Sequence, residues 1–180
     1  PLHTAAAEGR ASVVSVLLAA GADTEARTEQ GDTALLLAAK AAEAEVLSLL
    51  LAAGADMQAT DEDRATALHF AAEWWTEDAS GGCPAAVGGL LAAGAPVNVA
   101  GRWGWAPLHY AAAWGSWLAV EALLAAGADV AARDENGHTP FFLAITELGG
   151  CGPWLLALLP SRCISAEQLK ELAEASFRHN

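Results

Sequence analysis

The hexapeptide Pro107-Leu108-His109-Tyr110-Ala111-Ala112 occurs again and again along this chain. Related copies begin at Pro1, Ala34 and Ala67, and a looser copy begins at Pro140. A second phrase, Leu-Leu-Ala-Ala-Gly-Ala-Asp in its fullest form, follows each of the first four copies. The chain therefore consists of a series of similar units, and such repetition is characteristic of a repeat architecture.

The spacing of the two phrases supports one repeating unit. Successive copies of the first phrase lie 33, 33, 40 and 33 residues apart. The glycines of the second phrase, Gly21, Gly54, Gly94 and Gly127, are separated by 33, 40 and 33 residues. Because two different phrases share one period, the sequence predicts stacked units of about 33 residues, which bury a common core only together.

A 33-residue period that carries these phrases resembles the ankyrin repeat. The resemblance implies an all-α solenoid of helix-turn-helix units with hairpin-like finger loops. It covers residues 1–160, with approximate repeats at 1–27, 28–60, 61–100, 101–133 and 134–160.

The last segment, residues 161–180, predicts a separate C-terminal capping helix. Ser165-Ala166-Glu167-Gln168 reads as a capping box, and Ile164 is placed to pack on Leu169. A SOCS-box-like or other adaptor tail is the alternative interpretation of this segment.

The third repeat contains an insertion. Seven extra residues fall between Leu68 and Gly94, and the turn-rich sequence places them within Trp74 to Pro84. We expect a longer loop between the two helices of this repeat. Both a binding role for the loop and a tolerated surface insertion are open.

Composition and charge exclude several classes of protein. Hydrophobic residues make up 54% of the chain and charged residues 17%, which excludes intrinsic disorder. The net charge of −13 excludes nucleic acid as the default partner. The long uncharged runs contain Gly and Pro inside the repeats, so we expect no membrane insertion. Three cysteines without a CxxC pair favour a reducing, intracellular location, in cytoplasm, nucleus or an organelle.

The sequence offers no arrangement for catalysis, and we expect neither enzyme activity nor a cofactor or metal. His3, His69 and His109 occupy one motif position in separate repeats, where the ankyrin resemblance implies that the imidazole bonds neighbouring loops. The glycine-rich pieces at 81–82 and 149–152 lack the sequence context of a phosphate-binding loop. Since the chain begins at Pro1 without an initiator Met, we expect residues upstream in the natural protein.

The positions that the motif leaves free are the candidates for binding. In ankyrin arrays such positions lie on the finger tips and on the exposed side of the first helix, and they line a concave groove. The predicted partner-binding residues are Glu62, Asp63, Glu73, Trp74, Arg102, Trp103, Trp105, Trp114 and Glu135. Further free positions in repeats two and five include Asp32, Lys40 and His138.

Tryptophan dominates the predicted groove. Four of the seven tryptophans fall on free positions of repeats three and four, with Trp75 and Trp117 close by. Indoles are preferred anchors at interfaces, and the surrounding acids would select a positively charged guest. Packing of these indoles between fingers as an extension of the core is the alternative. Trp154, next to Pro153, is expected in the core.

Three functions follow from this pattern. The first is a non-catalytic module that binds a basic and partly apolar protein or peptide through an acidic, Trp-rich concave groove. The second is a reader of methylated lysine, in which indoles and a carboxylate surround the cation. The third is a regulatory or scaffolding segment of a larger enzyme or complex.

Overall fold

The computed structural model describes residues 1–73 and 82–147 of the chain, and for Gly82, Cys83, Ile145 and Glu147 the backbone alone. The described part is α-helical and has no strand, although one isolated bridge joins Thr60 to Thr66. Its helices are α1 Leu2–Ala7, α2 Ala11–Ala19, α3 Ala34–Lys40, α4 Ala44–Ala52, α5 Ala67–Glu73, α6 Gly82–Ala92, α7 Pro107–Ala113, α8 Trp117–Ala125 and α9 Pro140–Glu147.

The helices form two layers. The first helices of successive repeats, α1, α3, α5, α7 and α9, pack against one another, and the second helices α2, α4, α6 and α8 form the other layer. Helices α1, α3, α5 and α7 also pack against the second helix of their own repeat. Every unit therefore contacts its neighbours in the sequence, which is the packing expected of a solenoid. The predicted all-α repeat fold is confirmed.

Small residues set the distance between the first helices. The paired alanines Ala38, Ala39, Ala71 and Ala72 have no exposed surface. A methyl group is the largest side chain that such close packing admits, whereas alanine also has the highest helix propensity. Larger side chains fill the space between the layers, among them Leu35, Leu47, Leu50, Leu68, Leu90 and Leu123.

Both ends of the helices follow local rules. The Thr33 hydroxyl accepts a hydrogen bond from the amide of Leu36 at 3.4 Å and so caps the start of α3. The second helices stop at a left-handed glycine, with φ between +81° and +91° at Gly21, Gly54, Gly94 and Gly127. A residue without Cβ adopts this conformation at little cost, which explains why the glycine recurs with the period.

Between repeats the chain makes tight turns, which we call fingers 1 to 4: residues 28–33, 61–66, 101–106 and 134–139. In finger 1 the amide of Thr28 donates to the carbonyl of Asp32 at 2.9 Å, and the amide of Gly31 donates to Thr28 at 3.0 Å. The equivalent pair of bonds is present in the other three fingers. The predicted hairpin-like tips are thus confirmed.

The insertion of repeat three separates α5 from α6 by residues 74–81, whereas three residues separate α3 from α4. Helix α6 is also longer, with 11 residues against 9 in α4 and α8. Trp74, Trp75, Trp154 and the predicted capping helix lie outside the described residues.

Candidate functional site

Fingers 2 and 3 and helices α5 and α7 enclose a cavity of about 440 Å³ on the side of the first helices. We call it the aromatic groove. Its walls are formed by Asp61, Asp63, Ala65, Phe70, Glu73, Arg102, Trp103, Trp105, Tyr110, Ala113 and Trp114. Aromatic rings and carboxylates thus meet in one concave surface between repeats three and four, a size and composition found in ligand-binding clefts.

Trp103 reaches the groove because finger 3 has an unusual backbone. Trp103 has φ 57° and ψ 17°, and the following Gly104 has φ 74°, so two successive residues are left-handed. A bulky residue adopts this conformation at a cost of about 1 kcal/mol or more, so contacts with the surrounding structure must stabilise the left-handed Trp103. The amide of Glu135 donates to the Trp103 carbonyl at 2.9 Å and supplies one such contact. The Trp103 side chain is 48% exposed.

Finger 3 also lies too close to finger 4 for a side chain at residue 104. A Cβ on Gly104 would stand 3.1 Å from the Glu135 amide nitrogen. The glycine therefore permits the close approach that fixes Trp103 against the next finger.

Trp105 forms a wall between the exposed groove and the core. The centre of its ring lies 5.6 Å from the ring centre of Trp103 and 5.2 Å from that of Tyr110, and both contacts are edge-on. Its indole N–H donates to the Oδ2 of Asp134 at 3.2 Å. Trp105 is therefore partly buried and is held in place on two sides. This position is compatible with both interpretations of the residue, as a wall of the groove and as an extension of the core.

Trp114 and Trp117 are exposed in different places. Trp114 ends α7 as its C-cap and lines the groove, with 53% of its surface exposed. Trp117 begins α8 and is 45% exposed, but it does not line the groove. The two residues are thus a matched pair of exposed indoles inside and outside the cavity.

Two cations contact residues of the groove wall, and one of them, Arg102, is itself part of the wall. The guanidinium of Arg102 stacks 4.3 Å from the centre of the Trp103 ring, and its Nη1 lies 3.1 Å from Asp63 Oδ2. The Lys40 Nζ lies 4.5 Å from the centre of the Phe70 ring. The same amine contacts the two carboxylate oxygens of Asp32 at 2.7 and 2.9 Å, and Asp61 Oδ2 at 3.8 Å. The groove therefore already binds cations through rings and carboxylates.

The groove is electronegative despite these cations. Burial, together with the charges of Glu73, Asp61 and Asp63, raises the pKa of Tyr110 to about 12, while Arg102 acts in the opposite direction. Burial also raises the pKa of Glu73, and the charge of Lys40 offsets only part of this effect. The part of the Tyr110 shift that comes from Glu73, Asp61 and Asp63 has the sign of an electronegative groove, because these carboxylates disfavour a further negative charge and would attract a positive one.

The structure brings six of the nine predicted residues together in the groove: Asp63, Glu73, Arg102, Trp103, Trp105 and Trp114. Glu62 and Glu135 do not line it, although Glu135 holds Trp103 through its backbone. Trp74 lies outside the described residues. The binding role of all nine stays a prediction.

Sequence reasoning missed Asp61, Phe70 and Tyr110. Phe70 and Tyr110 occupy the variable position between the histidine and the paired alanines, where repeats one and two have Thr4 and Leu37. That variability was the signal that could have placed them on the side of the first helix that faces the groove. Among the other free positions, Asp32 is wrong as an open groove position, because it is buried and bound by Lys40.

Comparison with protein families gives the ankyrin-repeat model over residues 2–79 and 76–163, more than half of the chain. The chain belongs to the ankyrin-repeat family. Ankyrin repeats generally mediate protein–protein interaction, and proteins built from them are typically non-catalytic.

A curated ankyrin protein is also similar. The chain is 33% identical over 154 residues to ankyrin repeat and SOCS box protein 16 of Mus musculus. The match covers 86% of this chain and 27% of the mouse protein, so the chain spans little more than a quarter of that relative's length.

The motif histidines of this ankyrin array join neighbouring loops, as predicted. His3 Nε2 lies 2.8 Å from the Ala26 carbonyl, and His109 Nε2 lies 3.3 Å from that of His138. The imidazole of His69 contacts the carbonyls of Val99 and Trp105 at 3.0 and 3.1 Å. The histidines therefore fix the fingers that carry the groove.

Neither a metal site nor a membrane span is found in the described ankyrin units. Across residues 1–73 and 82–147, no group of three or more His, Cys, Asp and Glu is arranged to hold a metal ion. Within the same ranges, no helix combines the length and apolar character that crossing a bilayer demands.

Proposed function

We propose that this ankyrin array binds a basic and partly apolar segment of a partner protein in the aromatic groove, without catalysis. The observation that carries the proposal is the composition of the groove wall. Three indoles, a phenol and a phenyl ring share one cavity with the carboxylates of Asp61, Asp63 and Glu73.

Exposure of the indoles supports a binding role. Trp103 and Trp114 keep about half of their surface in water although both line a cavity. An exposed apolar patch with a polar rim is typical of an interaction site, and burial of one Trp anchor contributes about 2 kcal/mol or more. The groove thus offers two anchors that the ankyrin core does not use.

Charge supports a basic guest. Arg102 and Lys40 show that cations already pair with the rings and carboxylates of the groove. The net charge of −13 extends the attraction beyond the groove and favours association with basic segments.

The test selects a peptide and then removes the anchors. A phage-displayed library of random peptides is selected on the protein, and a synthetic copy of the enriched peptide, which we call the selected peptide, is titrated by calorimetry. We expect basic and apolar residues to be enriched. Trp103→Ala and Trp114→Ala should each weaken binding by about thirtyfold, which corresponds to about 2 kcal/mol.

Trp117→Ala is the matched control, because Trp117 has similar exposure outside the groove. It should leave the affinity within about twofold. Unchanged affinity in the Trp103→Ala, Trp114→Ala double variant would refute the proposed groove.

Recognition of methylated lysine is the second candidate, and the ring geometry favours it. Trp105 stands at 65° to Trp103 and at 81° to Tyr110, so three rings form an aromatic corner next to carboxylates. Such corners suit alkylated ammonium groups, which are attracted to ring faces. Titration with a trimethyllysine peptide and its unmodified copy decides: equal affinities dismiss this candidate and leave the general one.

A regulatory or scaffolding role within a larger protein or assembly stays a prediction, as does an intracellular location. Sequence beyond the present chain tests the first, because an enzyme pattern there would make the ankyrin array an accessory module.

A further inference from the structure

The three carboxylates of the aromatic groove differ in how their charge is balanced. Asp63 contacts the guanidinium of Arg102 at 3.1 Å. Asp61 accepts hydrogen bonds from the amides of Asp63 and Ala65, both at 2.9 Å, and lies 3.8 Å from the amine of Lys40. Both aspartates are therefore committed to partners within the protein.

Glu73 is different. Within residues 1–73 and 82–147, no hydrogen bond or ion pair connects its carboxylate to another group. It is half-buried as the last residue of α5. Lys40 stabilises its charge only at a distance, and burial still raises the pKa of the carboxyl. A carboxylate that is partly desolvated and lacks a bonded counter-charge is well suited to receive one from a ligand.

The surroundings of Glu73 can hold the rest of such a ligand. Trp114, at the C-terminal end of α7, lines the same groove with an exposed indole. At the opposite end, on finger 3, Arg102 already covers the ring of Trp103 and neutralises Asp63. The groove thus has one end that carries its own cation, and it has another part, lined by Glu73 and Trp114, where no cation of the described residues is bonded to the carboxylate.

We propose that Glu73 is the specificity-determining residue of the aromatic groove, pairing with one cationic side chain of the partner segment while that side chain lies against Trp114. Asp61 and Asp63 keep their internal partners and contribute little to the choice of guest. The inference rests on the proposed function and identifies Glu73 as the carboxylate that recognises the positive charge of the partner segment.

Two substitutions with the same change in net charge test it. Glu73→Gln and Asp63→Asn each remove one negative charge from the groove wall and preserve the shape of the side chain. The probes are the selected peptide and a copy in which its basic residues are replaced, one at a time, by norleucine. Calorimetry gives the dissociation constant of each pair.

We expect Glu73→Gln to weaken the selected peptide by about tenfold, the loss typical of one charge-assisted contact. The same variant should bind one of the norleucine copies as well as the wild type does, within about twofold, because the contact is already absent there. Asp63→Asn should weaken the binding of the selected peptide by a smaller factor, below about threefold, because Asp63 is already paired with Arg102. Equal losses in the two variants, or no loss in Glu73→Gln, would overturn the proposal.

A second measurement separates pairing from a change in structure. Carboxyl ¹³C chemical shifts follow the titration of Glu73 with and without the selected peptide. The pKa of Glu73 should fall when the peptide binds, because a neighbouring cation favours the ionised form. An unchanged or higher pKa contradicts the pairing even if the variant binds weakly.

Failure of this inference is distinguishable from failure of the proposed function. If Trp103→Ala and Trp114→Ala lose affinity while Glu73→Gln keeps it, Glu73 is not the reader and the groove remains the binding site. If the tryptophan variants also keep the wild-type affinity, both proposals fall.

Discussion

His69→Leu tests how the fold supports the groove. Repeat two has Leu36 at the same motif position, so leucine is compatible with this site in an ankyrin unit. The fully buried imidazole of His69 accepts from the Thr66 amide at 3.0 Å through Nδ1. Its Nε2 consequently carries the proton and donates to the carbonyls of Val99 and Trp105.

The size of the destabilisation follows from the hydrogen-bond partners of His69 that a leucine side chain leaves unpaired. The Trp105 carbonyl keeps the hydrogen bond from the Gly101 amide at 2.8 Å, whereas the Thr66 amide and the Val99 carbonyl lose the imidazole. Each buried polar group left without a partner costs about 1–2 kcal/mol. We therefore expect His69→Leu to lower the free energy of unfolding by about 2–4 kcal/mol at pH 7.

Acidic pH should erase this difference. Burial lowers the pKa of His69 to about 4, against about 6.5 in the unfolded chain. Because the folded state excludes the proton, the wild type loses stability as the pH falls from about 6.5 towards 4, by about 2–3 kcal/mol at pH 4.5. His69→Leu has no such group, so the two proteins should be nearly equally stable at pH 4.5.

Urea denaturation followed by circular dichroism at pH 7 and pH 4.5 gives both free energies. His3→Leu is the control. The imidazole of His3 is half-exposed, and within the described loops it contacts a single carbonyl, that of Ala26. A gap between wild type and His69→Leu that is the same at both pH values would refute the assignment of a neutral, finger-anchoring imidazole.

Three further predictions concern other contacts of the array. Burial raises the pKa of Asp134, but the hydrogen bonds that it accepts from the amides of Asn136 and His138 and from the Trp105 indole outweigh this effect and lower the pKa overall. Because these bonds are lost in Asp134→Ala, we expect this variant to be about 2–4 kcal/mol less stable at pH 7 in urea denaturation. That contribution should fade as the pH falls through the lowered pKa of Asp134. The new methyl group of Gly88→Ala or Gly94→Ala meets no atom within 4 Å, so the backbone conformation decides each effect. Gly88→Ala, in α6, should stabilise the protein by about 0.5–1 kcal/mol, whereas Gly94→Ala, at φ +91°, should destabilise it by about 1 kcal/mol. Equal effects of the two substitutions on thermal unfolding would contradict this prediction. Glu73→Gln should raise the melting temperature at pH 7, because a raised carboxyl pKa means that the fold disfavours the ionised form, and a lowered melting temperature would count against that.

The fold was predictable because several local rules repeat with one period. The cap at Thr33, the left-handed Gly54 and the buried pair Ala38 and Ala39 each specify the same helix-turn-helix unit. The period also fixed the frame in which free positions could be counted. That frame alone predicts Trp103 and Trp114 at the groove, and both residues line the cavity.

The charge pairing of the groove was not predictable from the repeat. Arg102 and Asp63 are 39 residues apart, and their contact depends on the geometry between adjacent fingers. Fingers 1, 2 and 4 have a left-handed residue at their fourth position only, whereas finger 3 has a second one at its third position, Trp103, so no other repeat could indicate it. Glu62 and Glu135 miss the groove because consecutive residues of a tight turn diverge.

The indole N–H region of a ¹⁵N-labelled spectrum, recorded during titration with the selected peptide, tests the groove most directly. Each tryptophan is assigned by single substitution. The account predicts that the resonances of Trp103 and Trp114 shift and saturate together, while Trp117 stays unchanged. Binding that shifts Trp117 and leaves Trp103 and Trp114 in place would contradict it.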